Sequence, residues 1–180
     1  MYKRQDLHIN NTLEDLSKEI RDWRNGSGTI SLPKPRPNYT PKNIYLSGGI
    51  SKCPDWQTVL TNALEESPIT IVDPRNRKIN VSSLSSLELC ELATENHRML
   101  LECEAFCVWF PEESKSPASL FELGALASML ERPLFVGAHP NYFRSKDVKI
   151  QTRLIRPEIK VVDSLQELAE QARRYYRMRG

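Results

Sequence analysis

From residue 43 onward, short apolar runs alternate with longer amphipathic segments. The apolar runs predict strands at 44–46, 69–72, 106–110, 134–137 and 160–162. The segments between them predict helices at 55–64, 87–101 and 120–130, and a closing helix from Ser164. Strands separated by helices are typical of a parallel sheet with right-handed crossovers. We therefore expect an α/β fold: a three-layer doubly wound parallel sheet of about five strands, flavodoxin-like or Rossmann-like.

The first 42 residues differ from the rest. Thr12, followed by Asp15 three residues later, is typical of a helix start, and an apolar stripe follows at Leu13, Leu16, Ile20 and Trp23. Prolines at 33, 35, 37 and 41 then predict an extended linker. We expect an N-terminal helix and Pro-rich linker (1–42), one domain (43–172) and a basic tail (173–180). The stripe is expected to pack on the domain or on a second subunit.

Charge and cysteine content exclude several classes of protein. The 25 basic and 23 acidic side chains leave a net charge of +2, which predicts neither a nucleic-acid nor a membrane partner. The four cysteines form no C-x-x-C pair, as is typical of reduced thiols in the cytosol. The chain shows no signal-peptide core and no apolar segment long enough to span a bilayer. We expect a cytoplasmic protein.

Glu122 follows the predicted third strand, close to the start of a helix. The carboxyl ends of parallel strands are where α/β folds bind ligands. We expect Glu122 in the first turn of this helix, where the helix N-terminus favours the ionised carboxylate. An enclosed carboxylate can act as a nucleophile at a sugar carbon. The alternative is that Glu122 only complements the helix dipole.

Two further turns are expected at the same edge of the sheet. Ser47, Gly48 and Gly49 follow the first strand, and their glycines either let the backbone approach a ligand or serve the turn itself. They match neither a dinucleotide fingerprint nor a P-loop. Arg75 follows the second strand, and its side chain has two possible roles. It binds a phosphate or a carboxylate of the ligand, or it pairs with a neighbouring residue while Asp73 caps the turn.

Metal and serine-hydrolase chemistry find no support in the sequence. His8, His97 and His139 share no ligand spacing, and His97 alone is typical of a packed or surface histidine. No G-x-S-x-G nucleophile elbow is present. We expect no metal and no organic cofactor.

An ordered set of motifs resembles the nucleoside 2-deoxyribosyltransferase-like superfamily over roughly residues 43–172. The motifs are Tyr-Leu-Ser-Gly-Gly-Ile at 45–50, Asp-Pro-Arg at 73–75, Phe-Glu-Leu-Gly at 121–124, Val-Gly-Ala-His-Pro-Asn-Tyr at 136–142 and Asp-Val-Lys-Ile-Gln at 147–151. The resemblance implies cleavage or exchange of N-glycosidic bonds, with Glu122 attacking the anomeric carbon. Water or a second base would resolve the resulting glycosyl ester. It also implies a homodimer or larger homo-oligomer.

The chain departs from this family pattern at three positions. Asn96 aligns with an acidic residue of the helix before the third strand, and asparagine can bond a base or hydroxyl but cannot act as an acid. If the alignment is moved by one residue, Glu95 takes the place of that acidic residue. A step of one residue, however, turns the side chain by about 100° around the helix axis. Glu104 stands in place of an aspartate. Ser116 replaces a carboxylate six residues before the nucleophile.

The sequence thus predicts a hydrolase or transferase acting on a nucleoside, nucleotide or related N-glycoside. The expected catalytic residues are Glu122 and Asn96. The expected substrate-binding residues are Tyr45, Ser47, Gly48, Gly49, Asp73, Arg75 and Ser116. Because Asn96 and Ser116 replace acidic groups, the alternative is a catalytically weakened nucleotide-binding sensor or regulatory module that uses the same pocket.

Overall fold

The computed structural model describes residues 43–50, 52–67, 69–75 and 83–178. The chain divides into two compact units, Met1–Tyr39 with Val81–Glu91, and Thr40–Asn80 with Leu92–Gly180. The sheet and the candidate site lie in the second unit. The predicted N-terminal helix and Pro-rich linker lie outside the described residues.

The described elements alternate along the chain as the sequence predicts. The strands are β1 (Asn43–Gly48), β2 (Thr70–Val72), β3 (Ala105–Phe110) and β4 (Leu134–Ala138). The helices are α1 (Trp56–Leu64), α2 (Ser86–Glu102), α3 (Pro117–Ala127), α4 (Ser145–Ile155) and α5 (Leu165–Arg177). The helix α4 was not predicted. The closing helix α5 extends to Arg177, so residues 173–177 of the expected basic tail are helical.

All strand pairs are parallel, and the strand order is β2-β1-β3-β4. This confirms the predicted α/β fold. The chain moves from β1 to one side for β2 and to the other side for β3, so the direction of winding reverses between β1 and β3. Their register pairs Ser47 with Val108 and Gly48 with Trp109. Open α/β sheets bind ligands at the carboxyl ends of the strands beside such a reversal.

The predicted fifth strand at 160–162 is reduced to a single bridge between Gly137 and Val162. The Val162 N–H donates to the Val136 carbonyl at 3.0 Å, and the Val162 carbonyl accepts from the Ala138 N–H at 2.9 Å. The segment cannot pair further, because a turn ends at Ile159 just before it and the α5 cap at Ser164 follows just after it.

Both faces of the sheet are buried, which explains the continuous apolar runs of the strands. Ile44 and Leu46 point to one face of β1 and Tyr45 to the other, as the period of two requires. Residues of α1 and α5 cover the first face, and residues of α2, α3 and α4 cover the second. None of the described helices is long and apolar enough to cross a membrane.

Candidate active site

A cavity of about 580 Å³ opens at the carboxyl ends of β1 and β3. Its walls come from the end of β1 and the residues after it, the loop after β3, the first turns of α3 and Asn96 of α2. The residues that the sequence analysis names as site candidates and that line this cavity are Tyr45, Ser47, Gly48, Gly49, Asn96, Ser116 and Glu122. The cavity therefore lies at the winding reversal and collects most of the predicted site.

Glu122 projects from the second turn of α3, not from the first turn as predicted. The helix begins at Pro117, because proline has the fixed φ and the missing N–H that suit the first helical position. Side chains on a helix lean toward its N-terminus, so the Glu122 carboxylate is directed toward the cavity. There the Ser47 hydroxyl of β1 donates a hydrogen bond to Glu122 Oε2 at 2.5 Å.

Burial raises the pKa of Glu122, whereas the hydrogen bond from Ser47 and the positive charge of His97 lower it. Burial is the largest of these effects, so the net shift of the Glu122 pKa is upward. The dipole acts mainly over the first turn, and burial opposes it in the second. A carboxylate of raised pKa is a stronger base once ionised, which suits a nucleophile. Burial and the charge of Glu122 also raise the pKa of Tyr45, so its phenol stays protonated.

Two glycines let the walls of the cavity approach each other. A Cβ on Gly48 would lie 2.3 Å from the Trp109 carbonyl oxygen and 2.5 Å from Trp56 Cζ2. A Cβ on Gly49 would lie 2.6 Å from Ser116 Oγ. Gly48 belongs to β1 itself, so close packing of the backbone, and not a tight turn, is the reason for glycine here.

The loop after β3 enters α3 through an unusual residue. Ser116 has left-handed backbone angles (φ 47°, ψ 46°), and its side chain makes no capping bond to the helix. Its hydroxyl instead donates to Ser114 Oγ at 3.1 Å. The Tyr142 hydroxyl donates to the Lys115 carbonyl at 3.0 Å and fixes the loop from outside. The first N–H groups of α3 are therefore left without a side-chain cap.

Asn96 of α2 also lines the cavity. Its Oδ1 is buried and has no hydrogen-bond partner in the described part of the chain. Glu95, the alternative for this role, is exposed and pairs with Arg98 at 2.7 Å. The structure thus brings Asn96, and not Glu95, to the cavity.

The comparison with protein families agrees with this geometry. The model of the family "Nucleoside 2-deoxyribosyltransferase like" matches residues 41–142, which is more than half of the chain. The chain belongs to this family. The matched segment includes β1, the loop after β3 and α3, and so contains every described wall of the cavity. No individual curated protein matches the chain.

Asp73 and Arg75 of this deoxyribosyltransferase-like chain do not reach the cavity, although both were predicted to line it. The described lining residues include Pro74 but neither of its neighbours. Arg75 Nη1 donates to Gln57 Oε1 at 2.9 Å and pairs with Asp55 at 3.4 Å, so the guanidinium ties the end of β2 to the start of α1. Asp73 accepts from the Arg75 N–H at 2.9 Å, as a turn cap does.

Sequence reasoning missed several members of the site. Lys52, Lys115 and Ser119 line the cavity. Ser119 precedes Glu122 by three residues, and that spacing alone places both on one face of a helix. His97 is exposed, but its charge acts on Glu122. In residues 43–178, apart from the gaps given above, no group of three His, Cys, Asp or Glu side chains is placed to hold a metal ion.

Proposed function

We propose that this deoxyribosyltransferase-like chain cleaves or transfers the N-glycosidic bond of a nucleoside, nucleotide or related N-glycoside through an ester on Glu122. The observation that carries the proposal is the partly buried Glu122, which accepts a hydrogen bond from Ser47 in a cavity that Asn96 also lines. A carboxylate that is oriented and poorly solvated has the properties of a covalent nucleophile.

The reaction proceeds in two displacements. A Glu122 oxygen bonds to the anomeric carbon while the bond from that carbon to the base nitrogen breaks, and the bonding electrons leave with the base. The leaving nitrogen takes its proton from solvent, because an asparagine has none to give as an acid. Water, or the nitrogen of a second base, then bonds to the same carbon as the bond to Glu122 breaks, and the proton that the attacking group loses passes to solvent. The carboxylate is regenerated, and the two inversions retain the anomeric configuration.

The neighbouring residues have distinct roles in this proposal. Ser47 orients the carboxylate and lowers its pKa through the hydrogen bond. The Asn96 amide bonds the base or a sugar hydroxyl and positions the substrate. The Tyr45 phenol, which stays protonated, donates a hydrogen bond within the cavity. A homo-oligomeric state and a cytoplasmic location remain parts of the proposal.

The test is release of free base from a panel of nucleosides and their 5′-monophosphates, followed by chromatography. Glu122→Gln and Glu122→Ala should lower the rate by about a thousandfold or more, as loss of a nucleophile does. Glu131→Gln, at an exposed position just beyond α3, serves as the matched control and should leave the rate unchanged. A slowly resolving substrate analogue should leave a sugar adduct on Glu122, which mass spectrometry detects.

A second function is favoured by Asn96, which occupies the place of an acidic residue. A module that binds nucleotides without turnover would show tight binding and no base release from any compound of the panel. If base release persists in Glu122→Ala, the protein is an enzyme but Glu122 is not its nucleophile.

A further inference from the structure

Glu122 dominates the charge inside the cavity. Among the described residues that line it, Glu122 is the one carboxyl group that is partly buried. The other charged side chains of the lining, Lys52, Glu113 and Lys115, are exposed. Solvent screens exposed charges, so these three contribute little to the enclosed space. A ligand in the cavity therefore meets mainly the carboxylate of Glu122.

The enclosed polar groups of the cavity have no proton to give to a departing base near neutral pH. The Tyr45 phenol is buried, and its burial together with the charge of Glu122 raises its pKa. Ser47 and Asn96 bring a hydroxyl and an amide, neither of which is an acid in this range. Glu122 itself cannot serve, because its oxygen bonds to the sugar. The described part of the cavity thus suits a leaving group that departs without a proton.

Asn96 adds a second group of negative character. It lines the cavity, and its Oδ1 is buried without a hydrogen-bond partner in the part of the chain that the structure describes. The oxygen is the negative end of an amide dipole, and its field is strong where water is scarce. Together, Glu122 and the Asn96 oxygen favour a cationic ligand over a neutral one.

The charge of the leaving group decides how the burial of Glu122 affects the reaction. A neutral base that leaves with the bonding electrons departs as an anion, so the negative charge of Glu122 passes to another atom in the cavity. If the base is cationic while it is attached, the ester and the released base are both neutral. Poorly solvated surroundings favour this loss of two opposite charges.

We propose that the cavity selects N-glycosides whose base is a cationic heterocycle, such as a pyridinium or an N7-alkylated purine. This inference rests on the proposed function and narrows its substrate class. A Glu122 oxygen bonds to the anomeric carbon, the bond from that carbon to the ring nitrogen breaks, and the electron pair neutralises the ring. The neutral base leaves without a proton. Water then bonds to the anomeric carbon, loses one proton to solvent and releases the sugar from Glu122.

The experiment compares nucleosides that differ in the charge of the base. The substrates are guanosine, 7-methylguanosine and nicotinamide riboside, each also as its 2′-deoxyriboside. For each, kcat/KM for base release is divided by the rate of spontaneous cleavage of the same bond, because cationic bases leave faster even without a catalyst. This acceleration should be about tenfold or more larger for the two cationic bases than for guanine, whereas a site with a general acid accelerates the neutral one more.

Asn96→Asp tests the reason for the selection, because it brings a group that can donate a proton. This variant should raise kcat/KM for guanosine about tenfold or more at acidic pH and should not raise it for the cationic nucleosides. Asn62→Asp is the matched control, since it makes the same change at an exposed position of α1 outside the cavity. It should leave all the rates unchanged.

The outcomes separate this inference from the proposed function. Equal acceleration for all three bases, or a larger one for guanine, would overturn the cationic selection and support the proposed function. If Asn96→Asp raises the rates for neutral and cationic bases alike, the missing acid is not the cause of the selection, and the inference fails. Release of base from none of the compounds would overturn both.

Discussion

Replacement of Ser47 by alanine isolates the contact that controls Glu122. Ser47 is 2% exposed and donates to Glu122 Oε2 at 2.5 Å. Burial already raises the pKa of Glu122, and this bond is the larger of the two effects that lower it. Ser47→Ala should therefore raise the pKa of Glu122 further and leave less of the ionised nucleophile at acidic pH.

The magnitude follows from the two forms of the carboxyl group. A hydrogen bond to a charged group contributes about 1.5–3 kcal/mol, and one between neutral groups about 0.5–1.5 kcal/mol. Ser47 can bond either form, so only the difference, about 1–1.5 kcal/mol, favours ionisation. Since about 1.4 kcal/mol corresponds to a tenfold change in an equilibrium, the ionised fraction falls roughly five- to tenfold at pH values well below the pKa.

The assay is kcat/KM for base release as a function of pH, because this quantity reports the ionisations of the free enzyme. The acidic limb of the profile should move to higher pH in Ser47→Ala, with a five- to tenfold lower rate on that limb. The alkaline plateau should stay close to that of the unmodified chain. Ser145→Ala removes a buried serine outside the cavity and controls for general destabilisation.

Two outcomes would refute the reasoning about Ser47. An equal loss at every pH would mean that Ser47 supports the fold or the substrate and does not act on Glu122 ionisation. A profile that does not move would mean that the hydrogen bond has no part in the active form.

Three other substitutions test the packing that shapes the site. Gly48→Ala places a Cβ 2.3 Å from the Trp109 carbonyl oxygen and should lower the free energy of unfolding by about 1–3 kcal/mol or more, measured by thermal denaturation. Gly124→Ala meets nothing within 4 Å inside α3 and should raise it by up to about 1 kcal/mol; a loss like that of Gly48→Ala would contradict the account. Arg75→Met removes the bond to Gln57 and should lower the free energy of unfolding by about 1–2 kcal/mol, measured in the same way. An unchanged free energy of unfolding would mean that the contact of Arg75 with Gln57 does not stabilise the fold.

The sheet could be predicted because its strands are buried on both faces. Continuous apolar runs such as 106–110 indicate such strands without knowledge of their neighbours, and the observed β3 begins only one residue earlier. Parallel strands end at the same edge of a sheet. The sequence therefore predicted that Ser47, after β1, and Glu122, after β3, lie at the same site. The shorter run at 160–162, Lys-Val-Val, was also predicted as a strand, but its flanking turn and helix cap limit it to one bridge.

The errors concern features that depend on distant contacts. The side chain of Arg75 finds Gln57, 18 residues earlier, and no local pattern shows that pairing. The net pKa of Glu122 depends on its burial, which only the packed structure determines. The start of α3 is different: Pro117 carried a local signal for the first helical position, and apolar periodicity alone placed the start three residues too late.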